Sequence, residues 1–215
     1  MGKLVLYSKM NPNINDENMR KINQRLLDMI GYKNAKVGYI ASETDKDRRY
    51  FNKTKHYYEL LGINNIKYFD LEYEYDESKE DELFDSDIIH LTSGNTFKFL
   101  SLLRKRNMIS KIRDYSINGG ILIGVSAGSV LMGSSIEIAK FADLNNIAST
   151  DFEGLKLLKL IDFEIKPHWN RWEDKIYEFK KYSKDRGREI YLIRDGEGIV
   201  VENGKVDVYG DIIIL

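Results

Sequence analysis

The chain has 215 residues, of which 42% are hydrophobic and 31% charged, the balance of a globular domain with a substantial core. Its 33 basic and 34 acidic residues leave a net charge of −1, so nothing argues for nucleic acid or an anionic membrane surface as a partner. There is no cysteine, which excludes disulfides, thiolate metal sites and a cysteine nucleophile, including that of the cysteine-dependent glutamine amidotransferases.

The first apolar run, Met1 to Tyr7, is far too short for a signal peptide or a membrane span, and a cytoplasmic location is expected. Lys3 to Ser8 reads as a strand, and Asn11 to Asp16, with Pro12, as a loop. Asn15 or Asp16 caps a helix to about Ile30, with Met19, Ile22, Leu26, Leu27 and Ile30 on one face and Gly31 as its stop. Ala35 to Ala41 is a second strand. Ser42-Glu43-Thr44-Asp45 then reads as the start of a helix running to Leu61, with Gly62 as its stop. Ile66 to Leu71 is a third strand, and the acidic stretch Glu72 to Asp85 a solvated loop or short surface helix. Asp87 to Leu91 is a fourth strand, followed by helices to about Arg106 and from Ile109 to Ile117. The β-branched run Ile121 to Val125 is a buried strand.

After Gly133 the pattern loosens. Ser134 to Ile147 is mixed, Asp162 to Lys166 reads as a strand ending at Pro167-His168, and Trp172 to Tyr182 as a helix. Glu189 to Leu215 holds three or four short β runs, with Asn203-Gly204 as a hairpin turn. Strand–helix alternation predicts an α/β fold: a doubly wound, mostly parallel sheet covered on both faces, with an antiparallel edge at its C-terminal end. There is no internal repeat, low-complexity tract or linker, so residues 1–215 read as a single domain.

The richest stretch is Gly124-Val125-Ser126-Ala127-Gly128, which fits the nucleophile elbow G-x-S-x-G. A sharp strand-to-helix turn forces the serine into a strained conformation, and only small neighbours let the two arms pass. Ser126 then stands at the carboxyl end of a strand. The Ala127 amide faces the start of the next helix, where partial positive charge stabilises an oxyanion. The alternatives are a structural glycine turn and a phosphate loop; the latter lacks both the G-x-G-x-x-G spacing and the Lys-Ser/Thr pair.

A serine hydroxyl needs a base, and the chain has only His56, His90 and His168. His56 lies in a charged helix and His90 inside a strand, which suits a surface and a core histidine respectively. His168 follows a strand, where ligand sites of open α/β sheets collect. Gly94, after the fourth strand, is a candidate second oxyanion donor, against a plain turn glycine. The acid that orients the histidine is Asp143, Asp195 or Glu197. Spacing does not choose among them, since triads are defined by geometry. Arg171 can read a substrate carboxylate, or be simply an exposed arginine at a helix start.

Gly94-Asn95-Thr96-Phe97, Gly124 to Ser129 and Pro167-His168-Trp169-Asn170 together resemble the three signature blocks of the peptidase E family, the α-aspartyl dipeptidases. Tyr39-Ile40-Ala41-Ser42 is similar to the end of that family's second strand, and the spacing fits along essentially the whole chain. The resemblance implies a class I glutamine amidotransferase-like fold with serine replacing the usual cysteine. It implies Ser126 as nucleophile, His168 as base, Gly94 and Ala127 as oxyanion hole, and Asp143 or Asp195 as third residue. Asn95 would join Arg171 in holding substrate. The implied activity is hydrolysis of dipeptides or short peptides, with N-terminal Asp as one candidate, without metal or organic cofactor, by a monomer or homodimer. Two departures stand out: Ser93 where the family usually has glycine, and Val125 where peptidase E carries an aromatic. The rival readings are an esterase using the same serine and a non-catalytic ligand-binding member of the fold.

Overall fold

A computed structural model describes residues 2–11, 13–31, 34–142 and 157–215. Seven strands form the main sheet: β1 (Lys3–Tyr7), β2 (Lys36–Ile40), β3 (Asn65–Phe69), β4 (Ile88–Leu91), β5 (Ile121–Val125), β8 (Gly198–Glu202) and β9 (Lys205–Tyr209), in the order β3-β2-β4-β5-β1-β8-β9. The first five run parallel, and β8 and β9 form the antiparallel edge. This is the α/β architecture expected from the alternation of elements.

Alternating side chains divide the core between the two sheet faces. Leu4, Leu6, Leu91 and Leu122 pack on one face with Phe99, Leu103 and Ile112, from α4 (Thr96–Lys105) and α5 (Met108–Ile117). Val5, Tyr7, Tyr39 and Ile123 pack on the other with Met19, Ile22, Leu26 and Tyr58, from α1 (Glu17–Ile30) and α2 (Arg49–Leu60). Asp16 caps α1 by accepting from the amides of Asn18 and Met19, and Gly31 closes it at φ 71°.

Two sequence expectations need correction. The helix expected to begin at Ser42–Asp45 begins at Arg49. Two of the polar residues before it are engaged in longer-range bonds, and the third reaches the first turn of α2 from a distance. Ser42 donates to the Ser93 carbonyl at 2.7 Å and Thr44 to Asp70 at 2.6 Å. Asp45 accepts from the amides of Tyr50 and Phe51, across an intervening loop. The acidic stretch contains α3 (Glu80–Phe84) after a 3-10 turn.

The second correction concerns β6 (Glu164–Lys166), which does not extend the main sheet. It forms a separate three-stranded sheet with β7 (Ile190–Leu192) and β10 (Ile213–Ile214). Beside it lies α7 (Ile176–Arg186), whose Phe179 is buried in the same core as Ile165.

Backbone packs closely against backbone after β5, where α6 (Ala127–Leu131) starts almost on top of β4. A Cβ on Gly128 would lie 2.1 Å from the Leu91 carbonyl oxygen, and one on Gly124 2.7 Å from the Ser129 amide nitrogen. Backbone cannot give way as a flexible side chain does. Gly128→Ala is therefore expected to destabilise the protein by about 1–3 kcal/mol, the usual cost of overpacking, read as a lowered urea midpoint at unchanged slope.

Candidate active site

Ser126 links β5 to α6 at φ 51°, ψ −105°, a conformation that costs a non-glycine residue about 1–3 kcal/mol. Three strand ends hold it there. The Ser126 amide donates to the Tyr7 carbonyl of β1 at 2.9 Å, and the Gly128 amide to the Thr92 carbonyl just past β4 at 3.2 Å. Ser129 Oγ lies 2.8 Å from the Tyr7 carbonyl and 2.7 Å from that of Gly124. The strain directs the Ser126 side chain into a cleft of about 280 Å³, lined among others by Gly94, Asn95, Lys166, His168 and Arg171.

His168 enters from β6. It too has positive φ, 59°, and its amide donates to Ser8 Oγ at 2.7 Å. Its Nε2 is 2.9 Å from Ser126 Oγ and its Nδ1 2.5 Å from Asp195 Oδ1. Ser8 Oγ also lies 3.3 Å from Asp195 Oδ1, and Asn170 Oδ1 accepts the Asp195 amide at 3.1 Å. The other carboxylate oxygen faces Arg171 Nη2 at 3.3 Å and Lys9 Nζ at 3.7 Å.

These contacts determine the protons. Burial pushes the Asp195 carboxyl up, but His168, Arg171 and Lys9 together outweigh it and hold its pKa below the ordinary carboxylate value. An ionised carboxylate only accepts, so Nδ1 carries the imidazole proton and Nε2 is left to accept from the serine. Burial lowers the His168 pKa, and Arg171 and Lys166 add to this, while Asp195 opposes it. The ring is therefore neutral, and basic, around neutral pH.

The other candidates fall out as follows. Glu197 accepts the amides of Arg194 and Asp211 at 2.8 Å each, which ties together two loops away from the His168 ring. Asp143 lies outside the described residues. His90 is buried, 2.9 Å from the Tyr58 hydroxyl, with burial pushing its pKa down to about 3. His56 is exposed. Gly94, at φ 145°, lines the cleft, and a Cβ there would strike Ser42 Oγ. Ala127 is the first residue of α6, so its amide has no intrahelical acceptor. Asn95 lines the cleft while its side-chain oxygen caps α4 at the Lys98 amide, 2.9 Å away. Arg171 is half exposed beside Asp195.

Sequence reasoning missed Ser8 and Lys166. Ser8 had a legible signal, since it stands at the carboxyl end of a parallel strand, as Ser126 does. Lys166 was visible only as a charge inside an apolar strand. Among the described residues, no group of three or more His, Asp or Glu side chains is arranged to hold a metal ion, and no helix is long and apolar enough to cross a membrane.

Comparison with known proteins points the same way as the geometry. The sequence model of peptidase family S51 matches residues 4–209. Peptidase E of Nostoc sp. is 26% identical, over 98% of this chain and 87% of that protein. An uncharacterised peptidase of Listeria monocytogenes is 30% identical, over 56% of this chain and 59% of its own length. A crystal structure of a candidate peptidase E protein from Listeria monocytogenes superposes with a TM-score of 0.73 at 23% identity, covering 97% of this chain and 98% of that one. A peptidase from an Actinobacterium superposes with a TM-score of 0.63 at 16% identity, covering 100% and 94%. At these identities the two structures establish the shared fold.

The proton assignment has a direct check. The His168 imidazole should titrate below the ordinary histidine value when followed by NMR. Asp195→Asn should move it further down, because the carboxylate is what raises it. An upward move in that variant would contradict the assignment.

Proposed function

We propose that this chain, a serine peptidase that belongs to peptidase family S51, hydrolyses short peptides through an acyl-enzyme on Ser126. His168 serves as base and Asp195 orients it. The observation that carries this reading is the unbroken run from Ser126 Oγ to His168 Nε2 at 2.9 Å and from Nδ1 to Asp195 Oδ1 at 2.5 Å.

In the first half-reaction Ser126 Oγ attacks the scissile carbonyl carbon and its proton passes to His168 Nε2. The C–O bond forms as the carbonyl electrons move onto oxygen. That oxyanion is received by the amides of Ala127 and Gly94, at the start of α6 and after β4. The imidazolium is stabilised by the Asp195 carboxylate, which itself stays ionised. His168 then gives its proton to the leaving amine as the C–N bond breaks. In the second half-reaction His168 takes a proton from water as it attacks the ester carbonyl, and returns that proton to Ser126 Oγ as the ester C–O bond breaks and the acid product leaves. Arg171 and Lys9 neutralise the outer oxygen of Asp195 and keep that carboxyl from protonating.

The cleft volume, about 280 Å³, is near the lower bound for small-molecule pockets and suits a peptide of a few residues. A dipeptide panel that includes N-terminal Asp, set against simple esters, tests the preferred bond.

Labelling by a fluorophosphonate tests the nucleophile. Wild type should be labelled and Ser126→Ala should not, with kcat/KM on the best peptide falling by about 10⁴-fold or more. Equal labelling of the two would sink the serine mechanism. Asp195→Asn should cost about 10⁴-fold in kcat by favouring the wrong tautomer, and Asp143→Asn should fall far short of that loss.

A further inference from the structure

β6 ends on a lysine whose surroundings the acyl-transfer chemistry does not explain. Lys166 is 2% exposed, yet it lines the cleft that receives the Ser126 side chain. Its ammonium lies 4.4 Å from the centroid of the Trp172 ring and 5.7 Å from that of Phe179. Burial lowers its pKa to about 8, and among the described residues no opposite charge offsets it.

The nearby ionic groups are already engaged. Glu164 shares a strand face with Lys166, but its carboxylate accepts from Arg188 at 2.7 Å and from the Tyr182 hydroxyl at 2.9 Å. On the same cleft wall, Arg171 sits against Asp195, and His168 bridges Ser126 and Asp195. Among the described residues Lys166 has no carboxylate or carbonyl partner. Removing an ammonium from water without a counter-charge is costly, and an aromatic face returns only part of that cost. A cation kept under these conditions in a substrate cleft is prepared for an anion that arrives with the substrate. Low local dielectric strengthens the pair once it forms.

We propose that Lys166 is a specificity-determining residue, binding a carboxylate of the peptide substrate inside the cleft beside Ser126. The proposal rests on the reading of that cleft as the peptide site. Two parts of a peptide carry the required group: an acidic side chain, and the free carboxylate of the C-terminal residue. Both present the same chemistry to the ammonium. Lys166 touches substrate away from the scissile bond, so its contribution belongs in KM more than in kcat.

The test compares pairs of dipeptides that differ by one carboxylate: Asp against Asn in the side chain, and a free against an amidated C-terminus. Wild type should favour the acidic member of one pair by about 10- to 100-fold in kcat/KM, as expected for a hydrogen bond to a charged group. The pair that shows the preference identifies the source of the carboxylate. Lys166→Met should bring that ratio close to one, mainly through KM, and Lys166→Arg should retain part of it. Each ratio is taken within one variant, so a poorly folding preparation does not distort it.

Calorimetric binding of the same peptides to Ser126→Ala and to Ser126→Ala/Lys166→Met gives a readout without turnover. The double variant should bind the acidic peptide about 10- to 100-fold more weakly. If Ser126→Ala still hydrolyses peptides, the acyl-enzyme reading fails while this binding comparison still judges Lys166. A wild type indifferent to the carboxylate in both pairs overturns the proposal. So does a preference, in turnover or in binding, that survives Lys166→Met unchanged.

Discussion

The site depends on how closely α6 approaches the ends of β1, β4 and β5. Gly128 sits against the Leu91 carbonyl with no room for a methyl group, and Gly124 lies beneath the Ser129 amide. This contact leaves Ser126 at φ 51°, and the carbonyls of Tyr7 and Thr92 hold the turn there through backbone hydrogen bonds. The strain is modest against the burial of the strands that impose it. Relaxing the turn would draw the hydroxyl out of reach of His168.

The second constraint is the arrangement of charge around one imidazole. Asp195 reaches the ring from the segment between β7 and β8, while His168 comes from the end of β6. Ser8, at the end of β1, accepts the His168 amide and lies beside Asp195. Residues from the large sheet and the small sheet thus meet at one point. Burial favours the neutral ring, and the carboxylate favours the tautomer whose free nitrogen faces Ser126. Lys166 completes this electrostatic pattern: a cation without a carboxylate partner among the described residues, whose charge adds to the forces that keep the His168 ring neutral.

Much of this was legible in the sequence because it is local. The glycine spacing around Ser126 is a five-residue pattern that reads locally, although the atom Gly128 must clear is the distant Leu91 carbonyl of β4, and Asp16 and Gly31 mark the ends of α1 by a short-range rule. Strand–helix alternation was enough to expect the parallel sheet and its antiparallel edge. The start of α2 was misread because Ser42, Thr44 and Asp45 look like caps. Ser42 and Thr44 instead bond across the fold to Ser93 and Asp70, and Asp45 does serve the first turn of α2, through the amides of Tyr50 and Phe51, but from the far side of a short loop. His168 was expected near Ser126 by the strand-end rule of a single sheet. The structure brings it there from a second sheet, so the expected proximity has a different physical origin.

By itself the sequence determined the fold class, the elbow serine and the short list of histidines, since periodicity, glycine spacing and composition act over a few residues. It left three carboxylates open for one role, because which of them meets a ring depends on how distant loops close. Only the tertiary structure decided that Asp195 touches His168 while Glu197 tethers the Arg194 and Asp211 amides. Burial likewise belongs to the assembled fold. Lys166 becomes a desolvated cation only when Trp172 and Phe179 close around it, and desolvation is a property of everything that surrounds a group.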